Sequence, residues 1–307
     1  MKKQISAFLL LAMLFFLLLF PKNALFASRR GLDLWFGTLV PTLLPFLILS
    51  GFLIHSGLVH LPASLLSPVL GKLFGISPLG SYACFIGFLC GCPMGAKVLA
   101  DLKRNGKLSF EEASYLLGFC NNVSPSFVIT FLVTENFKKP KLLLPTLLLL
   151  YGVPFLFGFL TRPGLFLKKS FFPSDIKNAS SVQIRFELLD ACIYDAVNTL
   201  LKLGGYVVLF SVLAELILCL PFLSEQTAAL AGGILEITSG ISGILAVYPE
   251  QMARRLLLSL TAFGGLSAMA QTSSVLKGSG LSVKNYFFSK LITALLTFLL
   301  SGFLPGN

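Results

Sequence analysis

Cys90-Gly91-Cys92-Pro93-Met94-Gly95-Ala96-Lys97 lies inside an apolar stretch, and Asn121-Asn122-Val123-Ser124-Pro125 interrupts the next one. Neither can belong to a smooth membrane helix. Glycine and proline break the backbone ladder, and the freed N–H and C=O groups cannot face lipid. Irregular backbone at membrane depth is tolerated where it is buried in protein or lines a watery cavity, which is how secondary transporters build substrate sites. These two interruptions therefore bear on fold and function together.

The surrounding composition places them in a membrane. Of 307 residues, 55% are hydrophobic and 12% charged, with mean hydropathy +0.86, against roughly 25% charged in soluble proteins. Leu34 to Ile54 and Leu142 to Thr161 carry no charge. Leu203 to Leu223 holds only Glu215, and Phe287 to Phe303 only Lys290. At about 20 residues per crossing, each can span. The fold class is an all-α polytopic membrane protein, integral and multi-pass, with no room for a separate soluble enzyme. The net charge of +11 fits basic residues that flank helices as topology signals and headgroup anchors. The lipid bilayer is thus the expected partner, and nucleic acid is not. Six cysteines in apolar surroundings lack the Cys-x-x-Cys spacing of a zinc site. Free thiols are expected, with no metal and no cofactor, and the coupling ion stays open. Lys2-Lys3, the apolar run to Phe20 and Ala24-Leu25-Phe26-Ala27 resemble a secretory signal peptide. A retained first membrane helix is the preferred reading, because the chain continues directly into more membrane segments.

A weak internal repeat runs through the chain. Gly37-Thr38-Leu39-Val40 pairs with Asn198-Thr199-Leu200-Leu201, and Gly87-Phe88 with Met94 pairs with Ala262-Phe263 and Met269. The turn Asn105-Gly106-Lys107-Leu108-Ser109 pairs with Ser279-Gly280-Leu281-Ser282. The resulting division is an N-terminal membrane helix and linker at 1–30, a first unit at 31–162, a basic connecting loop at 163–190 and a second unit at 191–307. Within the first unit, Leu79 to Leu89 and Gly95 to Asn105 form two arms of about 16 Å each at 1.5 Å per residue, half of a ~30 Å bilayer core. Charges gather at the far end and none at the Gly/Cys/Pro middle, as in a re-entrant hairpin; the alternative is one helix kinked at Pro93. Ser109 and Glu112 read as a helix start, and that helix breaks at 121–125 and resumes from Ser126 to Thr134. If the hairpin does not cross, the unit crosses at 34–56, 109–134 and 142–161. The second unit then enters from the opposite side, giving two inverted repeats with re-entrant hairpins and broken helices. Basic residues fall almost equally on both sides, so the positive-inside rule fixes no orientation.

Ionisable groups within membrane segments are functional candidates: Lys97, Lys202, Glu215 and Glu236. Lys97 either meets an anionic substrate near the first break or snorkels to the interface. Glu236, in the glycine-rich 232–243, either bonds a ligand or satisfies loose backbone. Enzyme chemistry finds no support. His55 and His60 sit at a helix end without companions, Ser267 has no nearby base, and no nucleophile elbow or phosphate-cradling loop occurs.

Pro41-Thr42-Leu43-Leu44-Pro45-Phe46, Gly91 to Lys97, Asn121 to Pro125, and Phe263-Gly264-Gly265-Leu266-Ser267 through Gln271 resemble the YlbJ (SpoVV) sporulation integral membrane proteins. These group with the nucleoside-recognition or gate domain proteins, which are similar to concentrative nucleoside transporters. The resemblance spans about Arg30 to Phe303. It implies transport of a small anionic solute, dipicolinic acid, across the outer forespore membrane of a sporulating host, and it is compatible with a homo-oligomer. A nucleoside or other small solute is the alternative cargo, and a non-transporting scaffold for spore-envelope assembly is the alternative role. It also implies substrate contacts at Asn121, Asn122 and Ser124 in the unwound helix. Hairpin tips are implied at Gly91 to Gly95, with Cys92, Pro93 and Gly95, and at Ser267 to Ser273, with Ser267, Gln271, Thr272 and Ser273. Lys97 and Glu236 complete the expected substrate-binding set. The acidic residue that nucleoside transporters carry in their hairpin tips is missing here, which favours an anion beside Lys97 over a nucleoside.

Overall fold

The computed structural model describes residues 11, 13–162 and 186–304. The connecting segment 163–185 and the start of the N-terminal apolar run lie outside the described residues, as does Ala12. Among the described residues every regular element is helical. In chain order they are α1 (Pro21–Ser56), α2 (His60–Phe74), α3 (Pro78–Cys90), α4 (Met94–Arg104), α5 (Phe110–Cys120), α6 (Phe127–Phe137) and α7 (Pro140–Leu160). The second half has α8 (Phe186–Leu218), α9 (Glu225–Leu235), α10 (Ile237–Val247), α11 (Glu250–Phe263), α12 (Gly265–Leu276) and α13 (Val283–Phe303). Four of these, α1, α7, α8 and α13, are long and apolar enough to cross a bilayer unaided. The α2–α3 pair, bent by 89°, is a fifth candidate.

Two boundaries differ from the sequence reading. Residues 21–30, expected as linker, are the first turns of α1. Their small residues Ala24 and Ala27 are buried, as is the following Gly31, and a Cβ on Gly31 would sit 3.0 Å from the Val208 backbone of α8. Close backbone approach between these helices needs that small face, so the segment is packed rather than free. In the same way α8 starts at Phe186, ahead of the expected boundary at 191.

Each half contains an antiparallel hairpin followed by a broken helix. In the first, α3 and α4 fold back at Gly91 and Pro93. A Cβ on Gly95 would lie 3.0 Å from the Gly87 Cα, so the two arms touch where they carry no side chain. This is a hairpin and not a kinked helix. In the second half α9 and α10 fold back at Glu236, and a Cβ on Gly240 would lie 2.2 Å from the Gly233 Cα. The glycine-rich 232–243 is thus the counterpart of the first hairpin. The broken helices are α5–α6, interrupted at Asn121 to Ser124, and α11–α12, interrupted at Gly264 (φ 89°). Ser109 caps α5 as expected, accepting from Glu112 N at 3.1 Å, while the Glu112 carboxylate reaches out to Ser77 N at 2.6 Å and anchors the start of α3.

Polar contacts sort the helix ends into two faces. On one, Lys107 Nζ donates to the Ile54 carbonyl, Arg162 donates to Leu73 O at 3.3 Å, and Arg104 donates to Val275 O and Lys277 O, both at 2.6 Å. On the other, Lys139 pairs with Glu250 at 2.5 Å and Tyr248 donates to Gln226 O at 3.1 Å. The root of the α3–α4 hairpin belongs to the first face and the root of α9–α10 to the second, so the hairpins enter from opposite ends of the bundle.

Candidate functional site

Both hairpin tips and both helix breaks open on one cavity of about 640 Å³. Cys92 comes from the first tip and Glu236 with Thr238 from the second. Asn121, Asn122 and Ser124 come from the first break, and Thr261, Gly264, Ser267 and Gln271 from around the second. Tyr286 and Lys290 of α13 close it. Most of these groups are polar and belong to interrupted backbone, the arrangement that lipid-exposed segments cannot adopt.

The first tip is tied to the first break by backbone. Cys92 N donates to Asn122 O at 2.5 Å, and the Cys92–Pro93 peptide is cis. At Gly91 (φ 85°) a Cβ would fall 2.6 Å from Ser124 N, so only glycine satisfies both the left-handed conformation and the approach. Asn121, 1% exposed, is the cross-link of the site. Its Oδ1 accepts from Ala96 N at 3.2 Å, while Nδ2 lies 2.9 Å from Tyr286 Oη, 3.2 Å from Thr272 Oγ1 and 3.5 Å from Cys92 Sγ. Asn122 Nδ2 donates to Phe119 O at 2.7 Å, returning a carbonyl freed by the break. Its Oδ1 accepts from Lys290 Nζ at 2.9 Å. Glu236 caps α10, accepting from Ser239 N at 2.7 Å, Thr238 N at 3.2 Å and the Thr238 hydroxyl. Gln271 Nε2 donates to Ser267 Oγ at 3.1 Å.

Of the residues expected from sequence, Cys92, Asn121, Asn122, Ser124, Glu236, Ser267 and Gln271 line this cavity. Pro93, Gly95, Lys97, Thr272 and Ser273 do not. Pro93 and Gly95 shape the tip, and Thr272 is fully buried behind it, bonded to Asn121. Ser273 faces a separate hollow with Lys202 and Tyr206. Ser267 to Ser273 form α12 beyond the second break and are not a hairpin tip. The internal repeat lined up Met94 with Met269, but in the second half the close glycine pair that lets a hairpin fold is Gly233 and Gly240, on either side of Glu236.

Lys97 is the main correction. Its Nζ lies 2.9 Å from Asp101 and 2.7 Å from Asp195 of α8, and Arg104 lies 2.8 Å from the same Asp101. Its charge is consumed in a cluster joining the two halves, away from the cavity. Glu215 likewise finds its partners on α1, with Arg30 at 3.4 Å and Asn23 at 3.3 Å. Two cations do line the cavity: Arg30, which pairs with Glu215, and Lys290, which is 4% exposed. The sequence carried its signal, a single charge in the last apolar span, but nothing along the chain tells which way that helix face turns.

Hairpins entering from opposite ends, breaks beside their tips and one cavity between them define an all-α, multi-pass membrane protein. Comparison with known proteins agrees with that class. Residues 36–135 match the family model described as Gate: nucleoside recognition, a region covering α1 from Phe36, the first hairpin and the first broken helix. The chain is 26% identical over 311 aligned positions to the sporulation integral membrane protein YlbJ of Bacillus subtilis (strain 168), covering 89% of this chain and 75% of that one. No solved structure matches the chain.

Proposed function

We propose that this protein is a transporter or facilitator, rather than an enzyme, that passes a small anionic solute through the cavity between its two hairpin tips. The two halves then act as inverted repeats, with access alternating about the shared site. The convergence of both tips and both breaks on one cavity carries this reading, since a scaffold needs no such paired interruptions. The cavity's size suits a small aromatic acid, as ligand pockets of about 300–1,000 Å³ enclose drug-sized molecules. Similarity to a sporulation protein, with the family resemblance drawn from the motifs, supports dipicolinate as the cargo and the outer forespore membrane as its place in a sporulating host. Uptake into proteoliposomes distinguishes the cargo: labelled dipicolinate should accumulate above protein-free vesicles, and uridine should not. Uridine uptake without dipicolinate uptake would transfer the reading to nucleosides. Uptake of neither would leave the scaffold role as the better account.

A further inference from the structure

Among the described residues, Lys290 is a buried cation with a hydrogen-bond acceptor but no counter-charge. Its Nζ donates to Asn122 Oδ1 at 2.9 Å and sits 5.9 Å from the Tyr286 ring centre. Asp33, Glu135 and Glu236 also line the cavity, yet none forms an ion pair with it. Glu236 is already occupied by the N-terminal amides of α10. An ammonium group has three donor positions, and a charge taken out of water is costly unless it is paired. Two more atoms of the same lining are short of a partner, because Thr261 Oγ1 and Arg30 Nε are buried without a hydrogen bond. The other buried lysine among the described residues, Lys97, has two carboxylates within 2.9 Å. The contrast is between a lysine paired for structure and a lysine left for a ligand.

We propose that Lys290 is the anion-recognising residue of the cavity: a carboxylate of the transported solute supplies its missing counter-charge, while Asn122 holds the ammonium in place. This rests on the transport reading for its cargo but concerns binding alone. Selection then follows charge. A carboxylate is accepted, and an isosteric carboxamide would leave the ammonium unpaired.

The test measures binding to the purified full-length protein by thermal stabilisation and titration calorimetry. The probes are pyridine-2,6-dicarboxylate, pyridine-2-carboxylate and the neutral pyridine-2,6-dicarboxamide. Wild type should prefer the carboxylates to the carboxamide by at least about tenfold, and Lys290→Gln, which keeps a donor for Asn122, should erase that preference. Lys290→Arg should restore part of it, which a merely structural role would not do. Lys97→Gln should lower stability and leave the preference intact. Retained carboxylate preference in Lys290→Gln, equal binding of the carboxamide by wild type, or no binding of any probe would overturn the proposal. Carboxylate binding that depends on Lys290 but without uptake would uphold the anion site and remove the transport reading instead.

Discussion

Asn121 and Asn122 stand next to each other in sequence and divide their work between stability and recognition. Asn121 spends its whole amide on four neighbours from the first tip, α12 and α13, whereas Asn122 orients Lys290. Truncating a buried side chain so that its partners lose their bonds costs about 1–3 kcal/mol per orphaned group. Asn121→Ala, which strips four partners, should therefore lower unfolding stability in detergent by at least that amount. Asn122→Ala, which orphans Phe119 O and Lys290, should cost less stability and more carboxylate affinity. Unfolding curves with and without pyridine-2,6-dicarboxylate separate the two, and equal effects on both quantities would refute the division. The doublet itself was legible in the sequence as polar groups at a break. Its division of labour was not, because Tyr286 and Lys290 lie 165 and 168 residues away. Lys97 went astray for the same reason, since Asp195 is 98 residues distant.

The hairpins depend on steric space more than on attraction. The arms meet at Gly87 and Gly95 in one, and at Gly233 and Gly240 in the other. A methyl group at Gly87 would lie 2.2 Å from Cys120 O, at the start of the first break. Forcing extra volume into a packed contact costs about 1–3 kcal/mol or more. Gly87→Ala and Gly240→Ala should thus reduce folded yield and displace the tips, whereas Gly152→Ala in α7, with nothing within 4 Å of its added Cβ, should be neutral. Fluorescence-detected size exclusion of the three variants gives the ranking, and a Gly240→Ala profile matching that of Gly152→Ala would contradict the hairpin packing. The first hairpin could be read from arm length and from charges gathered at its root. The second escaped notice because its tip carries Glu236 rather than a Gly-Cys-Pro run, and the spacing of its glycines has meaning only once the arms are folded together. The broken helix beside it was then mistaken for the tip.

At the scale of the molecule, inversion is a statement about which side of the membrane each hairpin root faces. The sequence offered parity of crossings as the argument and nearly balanced basic residues as the only check, so the direction stayed open. The folded chain adds contacts that link distant ends: Arg104 reaches the end of α12, and Lys139 meets the start of α11. These two contacts lie at opposite ends of the bundle, and Asn105 and Gln226, both exposed, mark the two roots. At the first root the buried Lys97, held by Asp101, is tied across the halves to the exposed Asp195 of α8, which braces that end. Movement of the second hairpin against it would open the cavity to the opposite side. Asn105→Cys and Gln226→Cys should accordingly react with a membrane-impermeant maleimide from opposite faces, one in intact cells and the other only after permeabilisation, each measured above the labelling of the native cysteines. Labelling of both from the same face would place the two hairpins on one side of the bilayer and remove inversion, and with it alternation about a shared site.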